Sequence, residues 1–152
     1  LGRAAGQYAS GSRNTFVGGN AGKGGTTSAP YSSGQYNVAM GYNAFDAFTT
    51  GNHNIAIGKD AAGALTTGAY NIILSPKTGN SGTSLGATTG NNNVGIGYET
   101  LVALTDGGSN VAIGTQAGLN DQKSQTIAIG VRAGEDQQNT NSVAIGTPPL
   151  CM

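Results

Sequence analysis

The chain has 152 residues, of which 9% are charged, 6% are aromatic and 27 are glycine. An average globular domain is about 25% charged and about 7% glycine, so this composition speaks against a conventional enzyme. Seven Lys and Arg offset seven Asp and Glu for a net charge of zero, which removes the basic face that general nucleic-acid or anionic-membrane binding requires.

One cysteine, Cys151, cannot build a disulfide framework or a Cys-based zinc site within a single chain. The longest apolar stretches, such as residues 101–104, fall far short of the roughly 20 residues that cross a bilayer, so no membrane insertion is expected. The chain opens at Leu1 without a charged-then-apolar leader and reads as a processed product or a piece of something longer.

Read in chain order, the sequence repeats one short motif. Its clearest copy is Asn-Val-Ala-Ile-Gly at 110–114, with variants at 14–18, 37–41, 54–58, 71–75, 93–97, 126–130 and 142–146 and a truncated copy at Leu1 and Gly2. The last motif residues, the anchors of the repeat, fall at 2, 18, 41, 58, 75, 97, 114, 130 and 146, spaced by 16 or 17 with two longer steps of 23 and 22. Alternation within the motif is strand-like, with Val and Ile on one face and Asn, Ala and Gly on the other. The β-branched face is the expected buried one. On this reading Val38, Ile55, Val94, Val111, Ile127 and Val143 form one buried column, and Met40, Ile57, Ile96, Ile113, Ile129 and Ile145 form another.

Motif-ending glycines Gly18, Gly41, Gly58, Gly97, Gly114, Gly130 and Gly146 suit turns through backbone angles closed to other residues. Asn14, Asn37, Asn54, Asn71, Asn93 and Asn110 head their motifs and are placed to stack as a ladder of amides. Three residues after each anchor comes a mostly small column, Ala5, Ala21, Ala44, Ala61, Thr78, Thr100, Ala117, Ala133 and Pro149, expected to allow close approach between rods. The return segments pair apolar residues three apart, as Phe45 with Phe48 and Leu101 with Leu104, a spacing compatible with a single helical turn or a short strand.

A repeat unit this short cannot fold alone but can form one coil of a solenoid whose strands pair in parallel. The expected fold is therefore all-β: a parallel β-solenoid of about nine coils over 1–152, with single helical turns in some coils and insertions at 23–35 and 80–92. The few sizeable apolar side chains in each coil do not offset the conformational entropy lost in ordering it. Association of identical rods, with a homotrimer first, is expected to supply the missing burial.

Other motifs carry less. His53 is the only histidine, has no ligand partners at metal spacing, and reads as a turn residue; no metal or cofactor is expected. Residues 18–24 look superficially like a phosphate loop, but Val17 and Gly24 stand where Gly and Ser or Thr are required. Glycoside hydrolysis needs paired carboxylates across a cleft, which a narrow rod hardly offers, so no enzymatic activity is expected; Glu99 and Asp121 are the pair to watch. The first insertion carries Tyr31, with Tyr36 beside it, and tyrosine supplies contact area with a hydroxyl. These two are the candidate receptor contacts, weighed against an inert loop.

The later copies, at 110–118 and 141–146, resemble head repeats of trimeric autotransporter adhesins. The stretches 50–58 and 88–101 are similar to repeats in bacteriophage tail-fibre and tail-spike proteins. Both resemblances imply a parallel β-solenoid, and the adhesin likeness implies a left-handed roll assembled as a trimer. The coils of this chain are longer than those of the adhesin heads, which favours the phage family. That likeness implies a rigid spacer on the virion surface, contacting adjoining fibre or virion proteins and a host-surface glycan or protein. The alternative is an adhesin head on the bacterial outer surface; a glycan-degrading spike ranks last.

Overall fold

The computed structural model describes residues 1–25, 30–76, 89–120, 124–136 and 139–147. The chain is an all-β parallel solenoid. Eight three-residue strands, β1 (Thr15–Val17), β2 (Val38–Met40), β3 (Ile55–Ile57), β4 (Ile72–Leu74), β5 (Val94–Ile96), β6 (Val111–Ile113), β7 (Ile127–Ile129) and β8 (Val143–Ile145), form one sheet in sequence order. Every neighbouring pair is parallel and in register, Val38 opposite Ile55 and Ala39 opposite Ala56, for example. Parts of both insertions, 26–29 and 77–88, lie outside the described residues, as do Thr78 and Pro149 of the small column.

The two β-branched columns face outward, contrary to the expectation that they are buried. Ile55, Ile57, Ile72, Ile113, Ile127 and Ile129 all count as exposed, whereas the central strand residues Ala39, Ala56, Ile73 and Ala112 are fully buried. The ladder residues Asn37, Asn54, Asn71, Asn93 and Asn110 are buried on the same inner side. Orientation is set by the asparagine, because an amide taken out of water must have its hydrogen bonds met and only the space between successive coils meets them. Residues two apart on a strand share a face, so Ala and Gly follow Asn inward and Val and Ile are turned out.

The small column is likewise inside the rod and not between rods. Ala21, Ala44, Ala61, Thr100, Ala117 and Ala133 are buried against the inner strand face. Larger residues of the return segments, Phe45, Phe48, Leu65, Leu101 and Leu104, fill the rest of the core. Phe45 and Phe48 stack at 4.9 Å between ring centroids, and Phe16 leans on Phe48 at 5.7 Å. Volume is matched between rungs: Ile73 is opposite Gly95 in the register, and a Cβ on Gly95 would sit 3.1 Å from the Ile73 Cδ1 atom.

Among the described residues the return segments contain neither helix nor strand, unlike the expected mixture. They are successions of tight turns. In the segment after β3, Ala61 N–H donates to the Gly58 carbonyl, Gly63 to Asp60 and Leu65 to Ala62, while Asp60 and Ala62 have φ of 57° and 49°. A positive φ at the third residue marks the first two of these as type II turns. Intervening amides bond the next coil instead, as Phe45 N–H does to the Ala61 carbonyl at 2.9 Å. Apolar residues spaced by three thus mimic a helical turn while the backbone alternates its handedness.

In most coils the motif-ending position requires glycine on two grounds. At Gly114 φ is 125°, and a Cβ there would lie 2.6 Å from the carbonyl oxygen of Gly130 in the next coil. Ser75 replaces the glycine after β4 and is absent from the residues of positive φ; its hydroxyl donates to the Gly97 carbonyl.

The asparagine ladder generates a direct test. Asn54 Oδ1 accepts from the backbone and side-chain amides of Asn71 at 3.0 Å each, and Asn54 Nδ2 donates to Asn37 Oδ1 at 3.1 Å and to the Gly68 carbonyl at 2.8 Å. Asn54→Ala strands several buried partners and should cost about 3 kcal/mol or more, read by urea denaturation. Asn93→Thr should cost less, because Thr126 holds the equivalent place ahead of β7 and its hydroxyl donates to Asn110 Oδ1 at 2.9 Å.

Candidate functional site

The surface features with chemistry to offer sit at the corner just before the ladder asparagine. There the chain places Arg13, Tyr36, His53, Tyr70, Asn92, Ser109, Gln125 and Asn141, all with φ between 57° and 63°. Such a conformation is uncommon outside glycine and is best tolerated by Asn. Inter-coil bonds hold residues there nonetheless, as Tyr70 N–H to the Asn52 carbonyl at 3.1 Å and His53 N–H to the Gln35 carbonyl at 3.0 Å.

Stacking of coils aligns the first four of these as a tower of planar groups. Tyr36 and His53 stack at 4.8 Å and 15°, and His53 and Tyr70 at 4.9 Å and 17°. The Arg13 guanidinium carbon lies 5.1 Å from the Tyr36 ring centroid, and its Nη1 donates to the Tyr36 hydroxyl. Attraction of the guanidinium to the ring face and offset stacking of rings compensate part of the backbone strain. Beside the tower, Asn52 Oδ1 accepts from Gln35 N–H at 2.8 Å and Asn91 Oδ1 from Ala69 N–H at 2.7 Å.

The two candidate receptor tyrosines belong to different stacks. Tyr31 packs on Tyr8 at 6.3 Å, next to an isolated bridge between Ala9 and Ser32, and Tyr36 joins the tower. His53 has the turn conformation read from the sequence, but its place between two tyrosines was missed, as was Tyr70. The signal was available: Tyr36, His53 and Tyr70 are 17 apart and each precedes a ladder asparagine.

Five of the backbone amides at 18–24, those of Gly18, Asn20, Ala21, Gly22 and Lys23, are committed to the fold, Asn20 N–H to the Arg3 carbonyl at 2.8 Å and Gly22 N–H to the Ala44 carbonyl at 2.8 Å, which leaves no converging set of amides for a phosphate. A shallow groove of about 750 Å³ beside them is lined by Arg3, Gln7, Asn20, Lys23 and Tyr42 among others. The described carboxylates have local partners: Asp60 binds Lys59 and Asn43, Glu99 binds Gln116, Glu135 binds Arg132, and Asp136 binds Asn120. Asp121, the counterpart watched for Glu99, lies outside the described residues. Among the described residues no cluster of three His, Cys, Asp or Glu could hold a metal ion.

Asp46 differs from the other described carboxylates. Burial raises its carboxyl above the ordinary 3.8 and the negative Asp60 adds to this, against a backbone hydrogen bond and Lys23. Comparison with models of known protein families, with curated proteins and with solved structures yields no match to this chain.

The Asp46 environment sets a pH dependence. The folded chain holds this proton more tightly than the unfolded chain, so stability falls as pH rises above 3.8 through the raised value. Asp46→Asn should therefore melt higher than the parent at pH 7, with the difference closing as the pH drops below 3.8; scanning calorimetry from pH 3 to 7 is the check.

Proposed function

We propose that the chain is a non-enzymatic structural segment of a bacteriophage tail or capsid fibre, a rigid spacer built from three identical nine-coil rods on the virion surface. The ninth coil is the truncated copy at the start. Its Leu1 carbonyl accepts from Gly18 N–H at 2.7 Å and its Arg3 carbonyl from Asn20 N–H at 2.8 Å, continuing the pattern of later coils. Adjoining fibre or virion proteins at the rod ends, and a host-surface glycan or protein at the tyrosine corners, are the proposed partners.

The observation that carries this reading is the outward apolar face. Met40, Ile55, Ile57, Ile72, Leu74, Ile113, Ile127 and Ile129 are each 36–41% exposed, and Val143 and Ile145 more so. Together with the half-buried Val38, Val94, Ile96 and Val111 they form two columns along a sheet roughly 34 Å long at about 4.8 Å per rung. A contiguous apolar face of this kind marks an interaction surface, and a motif repeated in every coil selects a partner with the same repeat. A second and third copy of the chain, in register about a common axis, fit that demand. Likeness of the motif to the trimeric adhesin head repeats supports three copies over two.

The adhesin-head alternative draws on the copies at 110–118 and 141–146. Both readings need the trimer and differ in where the rod is displayed.

Light scattering should report three times the 15.0 kDa chain mass. Ile57→Asp with Ile113→Asp should dissociate it, since each buried carboxylate costs on the order of several kcal/mol. A well-folded parent monomer at micromolar concentration would contradict the assembly. Antibodies to the rod should label phage particles by electron microscopy; labelling of the bacterial outer surface would favour the adhesin head.

A further inference from the structure

We propose that the open end of the aromatic tower, the face of Tyr70 together with the amides of Asn91 and Asn92, is a binding platform for a neutral pyranose of a surface glycan. The inference deepens the proposed receptor contact and rests on that reading for the source of the ligand, though binding itself does not depend on it.

The tower stops abruptly. Four successive coils place Arg13, Tyr36, His53 and Tyr70 at a corner whose φ is unfavourable for bulky side chains, and the next four place Asn92, Ser109, Gln125 and Asn141 there. Tyr36, flanked on its two sides by Arg13 and His53, is 44% exposed; Tyr70, stacked on His53, is 59% exposed. Among the described residues no second ring or cation covers Tyr70. At the following rung stands Asn92, whose N–H donates to the Ala69 carbonyl at 3.0 Å. A flat ligand on Tyr70 would extend the tower by one layer, beside a residue too small to continue it.

The chemistry around that face suits a sugar. A pyranose presents C–H groups to an aromatic face and hydroxyls at its rim, and a largely apolar contact with a few placed polar groups is how small ligands are oriented. Asn91 Oδ1 is held by Ala69 N–H, which fixes that side chain. Its Nδ2, and that of Asn92, form no hydrogen bond among the described residues. Each amide carries donors and an acceptor, the pairing vicinal hydroxyls need. Stacking against His53 keeps the Tyr70 ring in place before the ligand arrives, which lowers the ordering cost of binding. A nucleic-acid strand would also stack, but its phosphates need cations, and the tower's one Lys or Arg, Arg13, is engaged with Tyr36 at the opposite end.

The test titrates the full chain with maltohexaose, cellohexaose and chitohexaose, followed by NMR and calorimetry. Saturable binding of at least one, with Kd in the millimolar range or tighter, is expected. Tyr70→Ala should weaken it about tenfold or more, and Tyr70→Phe by no more than about threefold, because the ring face is the contact. Asn92→Tyr should extend the tower and block binding while leaving the melting temperature undiminished. Absence of saturable binding by all three sugars, or binding indifferent to Tyr70→Ala, would overturn the proposal. So would loss of the oligomer in Tyr70→Ala, which would make the face a subunit contact, or tighter Tyr70-dependent binding of a dinucleotide. Tyr70-dependent sugar binding by a chain that never labels virions would leave the platform standing and remove only the fibre reading.

Discussion

The side-chain amide of the ladder asparagine is the interaction on which the rest of the rod depends. Each buried amide links its own coil to both neighbours: Asn71 Nδ2 donates to Asn54 Oδ1 at 3.0 Å and to the Gly90 carbonyl at 2.9 Å, and Asn71 Oδ1 accepts from both amides of Asn93. Leaving such a group unpaired in the interior is expensive, so the asparagine dictates which face of every strand points inward. Once Asn is inside, Ala and Gly must follow, the core is narrow, and the large apolar residues are displaced to the return segments and the outer face.

A narrow core makes the backbone do work that side chains do elsewhere. All the described non-glycine residues of positive φ fall into three columns: the corner before Asn, the second residue after the anchor, and the fourth. At the fourth place most coils use glycine, as Gly22, Gly118 and Gly134, yet Phe45, Ala62 and Leu101 take the same conformation while fully buried. Apolar burial there offsets a strained φ. The three columns alternate the direction of successive amides, so that some close turns within a coil and others bind the next coil.

Much of this was legible in the repeat. The anchor spacing located all eight strands and implied their parallel register, because a pattern recurring at so short and regular an interval can bury its faces only by stacking. Orientation was misjudged for a physical reason. The rule that places β-branched residues inside treats hydrophobicity as the deciding energy, whereas Asn37 and Asn54 show the cost of an unpaired amide outweighing that of a half-buried Val38 or an exposed Ile55. Tyr36, His53 and Tyr70 were read singly because their relation is longitudinal, visible only when the coils are laid over one another. The return segments misled because a spacing of three is shared by helical turns and by alternating type II turns, and periodicity cannot distinguish them.

The direction of the bonds between coils has a mechanical consequence. Strand pairing and ladder amides alike connect one rung to the next, so they lie nearly along the rod. A pull on the two ends opens them in sequence, one coil at a time, instead of loading them together in shear. With only three residues per strand, the force that peels a coil is small and does not grow with the number of coils behind it. A single rod is thus weak in extension, and three rods locked side by side through their outer faces would have to yield together, turning a zipper into a cable.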